Sequence, residues 1–176
     1  MLDTIKSQLP AYAKDLKLNL SSLMREETLS VERRYGSLFA AALASGNETL
    51  IKAFADEAAQ HLGAEELENV KAANAIMGMT NIYYRFLHMA KDGEYQRMAA
   101  NLRMQIIGKP PADKVNFELF SLVVSAVNGC EFCVAAHDAE LKKAGLSREE
   151  IQASIRIAAT VHAVAGVLTG EETLAA

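Results

Sequence analysis

The chain has two cysteines, Cys130 and Cys133, three residues apart, and His137 follows four residues after the second. The thiolate is the nucleophilic form of cysteine, and a free thiol at neutral pH is mostly protonated. A helix starting near Cys130, just past the break at Asn128-Gly129, turns about 100° per residue. By that arithmetic Cys133 lies about 60° from Cys130, and His137 about 20° from it. All three fall on one stripe, with Cys133 and His137 a turn apart and within side-chain reach. Cys130 falls in the first turn, where unpaired N–H groups and the helix dipole favour a thiolate. A resolving thiol, an attacking thiol and a base in one line suit peroxide reduction. One thiolate attacks the O–O bond and becomes a sulfenic acid; the second thiol condenses with it to a disulfide and releases water. Cys133 is assigned the attack because His137 stands beside it. Cys130 is expected to be the more exposed sulfur, to resolve, and to admit an external dithiol by exchange.

Other chemistries fit the same residues less well. Zinc needs four ligands, usually from separated segments, and only three candidates occur here, on one stripe. A structural disulfide would close a very small loop in a reducing compartment. Two small buried hydrophobes with a satisfied core histidine remain the plain alternative. A thioredoxin-like reading lacks any βαβ pattern.

Glu118 is the candidate orienter of His137. If the helix before Gly129 and the helix after it run side by side, their levels follow from about 1.5 Å per residue. Glu118 then lies about 15 Å before Asn128 and His137 about 10 Å after Cys130, so the two meet within roughly one turn. A carboxylate there orients the imidazole and raises its basicity. The competing reading is a solvated stripe of Glu118, Ser121, Ser125 and Asn128. His61, His88 and His162 have no comparable partners and read as core or surface. Met77 and the Tyr83-Tyr84 pair read as core packing rather than a cofactor box.

The elements that must position these groups are helices. With 176 residues, the chain has the length of one domain with a core of its own. Apolar residues recur at threes and fours, as in Leu67, Val70, Ala73 and Met77, and no run alternates as a strand would. The expected fold class is all-α. Gly46-Asn47, Gly63, Gly108-Lys109-Pro110-Pro111, Gly129 and Gly145 punctuate it. Ser147 with Glu150 has capping-box spacing and should start the last long helix. Residues 30–91 and 113–170 both read helix, Gly, helix, Gly, long helix, which suggests an internal duplication with cysteines in the second copy only. Residues 1–23 then form an N-terminal helical appendage.

Net charge is −4, and no basic block marks a nucleic-acid partner. The N-terminus lacks the pattern of a signal peptide. The apolar stretch from Ile157 to Leu168 is too short to span a bilayer. A cytoplasmic protein of a reducing compartment is expected, where a close cysteine pair is catalytic or metal-binding more often than structural.

Glu118, eleven intervening residues, Cys130-Glu131-Phe132-Cys133 and three more to His137 together resemble the signature of the alkyl hydroperoxidase D (AhpD) family. That family lies within the carboxymuconolactone decarboxylase-like superfamily. The likeness runs over nearly the whole chain, including "LPAYAKDLKLNLSS", "ANAIMGMTNIYYR", "LRMQII" and "NFELFSLVVSAVNGC". The resemblance implies an all-α, internally duplicated fold assembled as a homotrimer. It implies a peroxidase with no bound cofactor, re-reduced by dihydrolipoamide on a dihydrolipoyl acyltransferase of a 2-oxoacid dehydrogenase complex. It also implies electron transfer to an AhpC-type peroxiredoxin through a mixed disulfide at Cys130. Cys133 matches the sulfenic-acid position, and Glu118 and His137 match the proton relay. Some members carry histidine between the cysteines where this chain has Phe132, so a relay step through that histidine cannot operate here. Two other functions stand beside this one: a decarboxylase or lactone-processing enzyme with incidental cysteines, and an electron-carrying adaptor for AhpC with little peroxidase activity of its own.

Overall fold

Helix starts fall where the sequence supplies a short polar acceptor. Ser30, Asn47, Asp92, Asp113 and Ser147 each take a hydrogen bond from a backbone N–H in the first turn that follows. At Ser147 the bond is reciprocal: Glu150 accepts from the Ser147 N–H, completing the expected capping box. The computed structural model describes residues 2–175 and contains, among them, helices and no strand. The helices are α1 (Leu2–Gln8), α2 (Lys14–Leu23), α3 (Val31–Ser45), α4 (Glu48–Ala58), α5 (Ala64–Met89), α6 (Gly93–Arg97), α7 (Gln105–Gly108), α8 (Lys114–Val127), α9 (Glu131–Lys143) and α10 (Arg148–Leu174). A 3₁₀ turn at Ala11–Ala13 joins α1 to α2. The all-α expectation holds.

Helix α8 lies at the centre, against α3, α5, α9 and α10. Ten successive residues of it, Asn116 to Ser125, are buried. Phe117 and Phe120 are fully enclosed, and truncating either to alanine costs about 3–5 kcal/mol. Helix α5 crosses α8 and α9, so one helix touches both sides of the Gly129 turn. Arg33 on α3 reaches Asn116 on α8 at 3.0 Å and Glu150 on α10 at 2.9 Å, tying three helices at one end.

The N-terminal segment is more than an appendage: Ile5, Leu9, Leu20 and Leu23 are buried in the same core, and α2 packs on α10. Helix α10 is also longer than the Ile157–Leu168 stretch suggests. At 27 residues it is long and apolar enough to cross a membrane by length and composition. More than half of its most apolar window is instead buried inside the fold, as the core helix of a bundle would be. The exposed segment from Lys91 to Arg103 leaves Tyr95, Met98 and Leu102 facing outward.

Candidate active site

The turn that carries the cysteines is fixed from two sides. Helix α8 closes at Asn128, Gly129 takes φ 67°, and Cys130 is extended at φ −93°, ψ 92° as the N-cap of α9. The Cys130 N–H donates to the Ser125 carbonyl at 3.0 Å. From α5, Arg85 Nη1 donates to the Asn128 carbonyl at 2.6 Å, and Asn81 accepts from Asn128 Nδ2 at 3.0 Å. Asn81 Nδ2 in turn donates to Ser125 Oγ at 2.9 Å. This polar chain shows why Ser125 and Asn128 do not form a solvated stripe: they face α5. Glu118 and Ser121 are likewise buried, the hydroxyl of Ser121 without a partner.

Cys130 Sγ lies over the first turn of α9 and accepts from the Cys133 N–H at 3.3 Å. The two sulfurs form a disulfide, with Cα atoms 5.3 Å apart. Opening the bridge leaves the Cys130 sulfur against the positive end of a helix, which favours its thiolate. One expectation needs correcting. Cys130 is not the more exposed sulfur: it is fully buried, and Cys133 is 5 % exposed. As an N-cap, Cys130 folds its side chain back over the helix rather than projecting from it.

Glu118 and His137 meet as expected. Nδ1 of His137 lies 2.6 Å from Glu118 Oε2, both residues being buried. Lys114, one turn earlier on α8, holds the other carboxylate oxygen at 2.6 Å. Burial by itself pushes the Glu118 carboxyl up; the hydrogen bonds and charges of His137 and Lys114 outweigh it and hold the group below the ordinary carboxylate value. Glu118 is therefore ionised and accepts from Nδ1–H, which leaves Nε2 as the ring nitrogen that faces Met77.

The disulfide lies between two hollows. Cys133 and His137 share the wall of a cavity of about 180 Å³ with Met77, Thr80, Tyr84 and Phe132. Cys130 lines a different one, of about 520 Å³, walled by Leu122, Val134, Ile151 and Ile155. A small molecule beside Cys133 would thus lie next to an imidazole, and the larger apolar hollow borders the bridge on the Cys130 side.

Three residues of the site escape a reading of the sequence alone. Lys114 is signalled only by its i,i+4 spacing to Glu118. Met77 and Tyr84, read as core packing, both line the Cys133 cavity: Met77 Sδ is 3.2 Å from His137 Nε2, and Tyr84 stacks on Phe132 with ring centroids 5.4 Å apart. Their signal is a helical stripe on α5, Met77, Thr80, Asn81 and Tyr84, which is indistinguishable from a core stripe without the partner helix. The remaining histidines lie elsewhere. His61 stacks on Tyr35 at 3.8 Å, His88 lies 3.5 Å from Glu131 on the rim, and His162 is exposed on α10.

Comparison with known proteins gives the family. Residues 93–174 match the model of the carboxymuconolactone decarboxylase family. The chain is 51 % identical over 170 residues to the alkyl hydroperoxide reductase AhpD of Maricaulis maris, covering 97 % of this chain and 98 % of the relative. It is 50 % identical over 173 residues to the protein of the same name from Gluconacetobacter diazotrophicus, covering 98 % and 95 %. It is also 50 % identical over 175 residues to that of Hyphomonas neptunium, covering 99 % and 97 %. Identity at this level over nearly the full length places the chain in the AhpD family of the carboxymuconolactone decarboxylase superfamily.

Proposed function

We propose that the protein is an antioxidant peroxidase that reduces hydrogen peroxide and alkyl hydroperoxides through the Cys130–Cys133 dithiol. The observation that carries this reading is the Glu118–His137 pair, 2.6 Å apart, in the wall of the cavity that Cys133 lines. His137 Nε2 takes the Cys133 proton, and the thiolate attacks one peroxide oxygen. The O–O bond breaks, the leaving alkoxide takes the proton from Nε2–H, and Cys133 becomes a sulfenic acid. Cys130 sulfur then attacks that sulfur; a disulfide forms and water leaves. Glu118 keeps Nδ1 protonated throughout and stabilises the imidazolium between the two proton transfers.

Dihydrolipoamide is the proposed electron donor. One of its thiolates attacks the bridge and its second thiol closes a lipoamide ring, releasing two cysteine thiols. Attack on Cys130 is proposed from the apolar hollow it lines; the residue is fully buried in the disulfide form, so the attack requires the turn at Gly129 to open. The same sulfur is proposed to form the mixed disulfide with an AhpC-type peroxiredoxin, and the arm to come from a lipoylated dihydrolipoyl acyltransferase in the cytoplasm. A homotrimer is proposed, supported by the exposed apolar side chains Ile82, Phe86, Met89, Tyr95, Met98 and Leu102 around the end of α5. No bound cofactor is required by these steps.

The test is a coupled assay with lipoamide, lipoamide dehydrogenase and NADH. Peroxide-dependent NADH oxidation that vanishes in Cys133→Ser supports the reading. No consumption, or consumption that survives Cys133→Ser, overturns it. Activity dependent on added peroxiredoxin would assign the adaptor role, and a decarboxylase activity intact in a double Cys→Ser variant would assign the non-redox role.

A further inference from the structure

Met77 is 2 % exposed, yet its sulfur is surrounded by polar atoms. His137 Nε2 lies 3.2 Å away, Asn81 Nδ2 3.6 Å and Thr80 Oγ1 3.6 Å. The Thr80 hydroxyl gives its hydrogen to the Ile76 carbonyl at 2.9 Å. Asn81 gives one amide hydrogen to Ser125 Oγ, which leaves the other for the sulfur. The amide, and the Nε2–H that His137 carries once it has taken up a proton, thus converge on a thioether, a poor acceptor. They would satisfy a sulfoxide oxygen far better, since it accepts strongly. The same sulfur lines the cavity of Cys133.

We propose that Met77 is an oxidation site for hydroperoxides that enter this cavity, and that its sulfoxide shuts the proton relay by accepting from Nε2–H of the His137 imidazolium, which holds that proton in place and removes the base. The step balances. The thioether lone pair bonds to one peroxide oxygen, the O–O bond breaks, and the leaving oxygen departs as alcohol or water with one proton; the product is methionine sulfoxide. The conditions follow from the bridge. While Cys133 is a thiolate it consumes the oxidant. Once the disulfide accumulates, Met77 is the remaining nucleophilic sulfur of the cavity. Failure of the dithiol supply would thus be recorded as a covalent change that dithiols do not reverse. This rests on the peroxidase reading only for its effect on turnover, not for the oxidation itself.

The disulfide form of the full chain is treated with graded hydrogen peroxide or an alkyl hydroperoxide, digested, and each methionine peptide read by mass for one added oxygen. Met89 and Met98 are 68 % and 64 % exposed, so burial alone orders them first and Met77 last. The proposal expects Met77 to rise with them or ahead of them; Met77 oxidised last overturns it. This arm needs no turnover, so it stands or falls apart from the peroxidase reading. In the second arm the bridge is reduced, two free thiols per chain are verified, and peroxide consumption is measured. Residual activity should fall in proportion to Met77 sulfoxide. In Met77→Leu, activity relative to that variant's own starting rate should survive the same treatment. Equal fractional losses in both proteins, with thiols intact, would overturn the capping role.

Discussion

Helix α3 ends at Gly46, φ 76°, and the side chain of Asn47 caps α4; helix α8 ends beside Gly129, φ 67°, and the side chain of Cys130 caps α9. The two turns share a left-handed glycine and an acceptor that receives the N–H three residues on: Leu50 N–H to Asn47 Oδ1 at 2.9 Å, Cys133 N–H to Cys130 Sγ at 3.3 Å. At equal distances from each cap the residues differ in kind. Three residues on stand Leu50 and Cys133, seven residues on Phe54 and His137, and twelve residues before Tyr35 and Glu118. In the first half those positions are core, with Leu50 and Phe54 enclosed and Tyr35 stacked on His61. In the second half they are Cys133, His137 and Glu118, the proposed nucleophile, base and orienter. The backbone solves one problem twice, ending a helix and starting the next. Chemistry enters by changing side chains, at the cost of a weaker cap, because sulfur accepts more poorly than an amide oxygen.

The largest effect should come from the reacting sulfur. Cys133→Ser is expected to abolish peroxide consumption, whereas Asn47→Ala, at the other turn, should lower stability by about 1 kcal/mol and leave the rate unchanged. A rate loss in Asn47→Ala would mean that the first turn is coupled to the site. Next, Cys130→Asn gives the second turn the cap of the first. Compared under reducing conditions, its thermal midpoint should match or exceed wild type while turnover with dihydrolipoamide collapses. Loss of stability there would show that sulfur contributes more to the turn than capping. Glu118→Gln and His137→Gln should each lower the rate about 10²–10⁴-fold with helical circular dichroism retained; wild-type rates in both would remove them from the mechanism.

Smaller effects test the shared backbone. A Cβ added at Gly46 or Gly129 meets nothing within 4 Å, so alanine at either position carries only the left-handed strain, about 1–2 kcal/mol, read from denaturant midpoints. The two losses should be equal, and only Gly129→Ala should also slow turnover. The smallest effect is in pH. Glu118 is held below its ordinary value of 4.5, so its charged form stabilises the fold. That contribution is complete above the ordinary value and is lost as pH falls through the depressed one. The stability gap between wild type and Glu118→Gln should therefore stay constant from neutral pH down to the ordinary carboxylate range and close only below it. A gap that closes near pH 7 would contradict the depressed carboxyl.

Much of this was legible in the residues. The glycine breaks, the Ser147–Glu150 box and the start of α9 follow from local rules that need no tertiary partner. The Glu118–His137 contact was legible in part: counting levels brings the two together if the helices run side by side, while a solvated stripe fitted the same spacing until the structure placed both residues at 2.6 Å. The exposure of Cys130 was not, since a helical wheel treats an N-cap as one more helical residue. The role of Met77 was not either, because a thioether on a helical stripe reads as packing until the facing atom is known.

By itself, the sequence determined the all-helical class, the order of the helices and the C-x-x-C, His, Glu grouping, all of which depend on spacing along one chain or across one short turn. Only the tertiary structure decided that α5 crosses that turn. Helix α5 is separated from α9 by more than forty residues, and its docking is set by burial against α8 rather than by any local rule. That docking brings Arg85 and Asn81 to the turn and Met77 to the imidazole, and it separates the hollow at Cys133 from the one at Cys130.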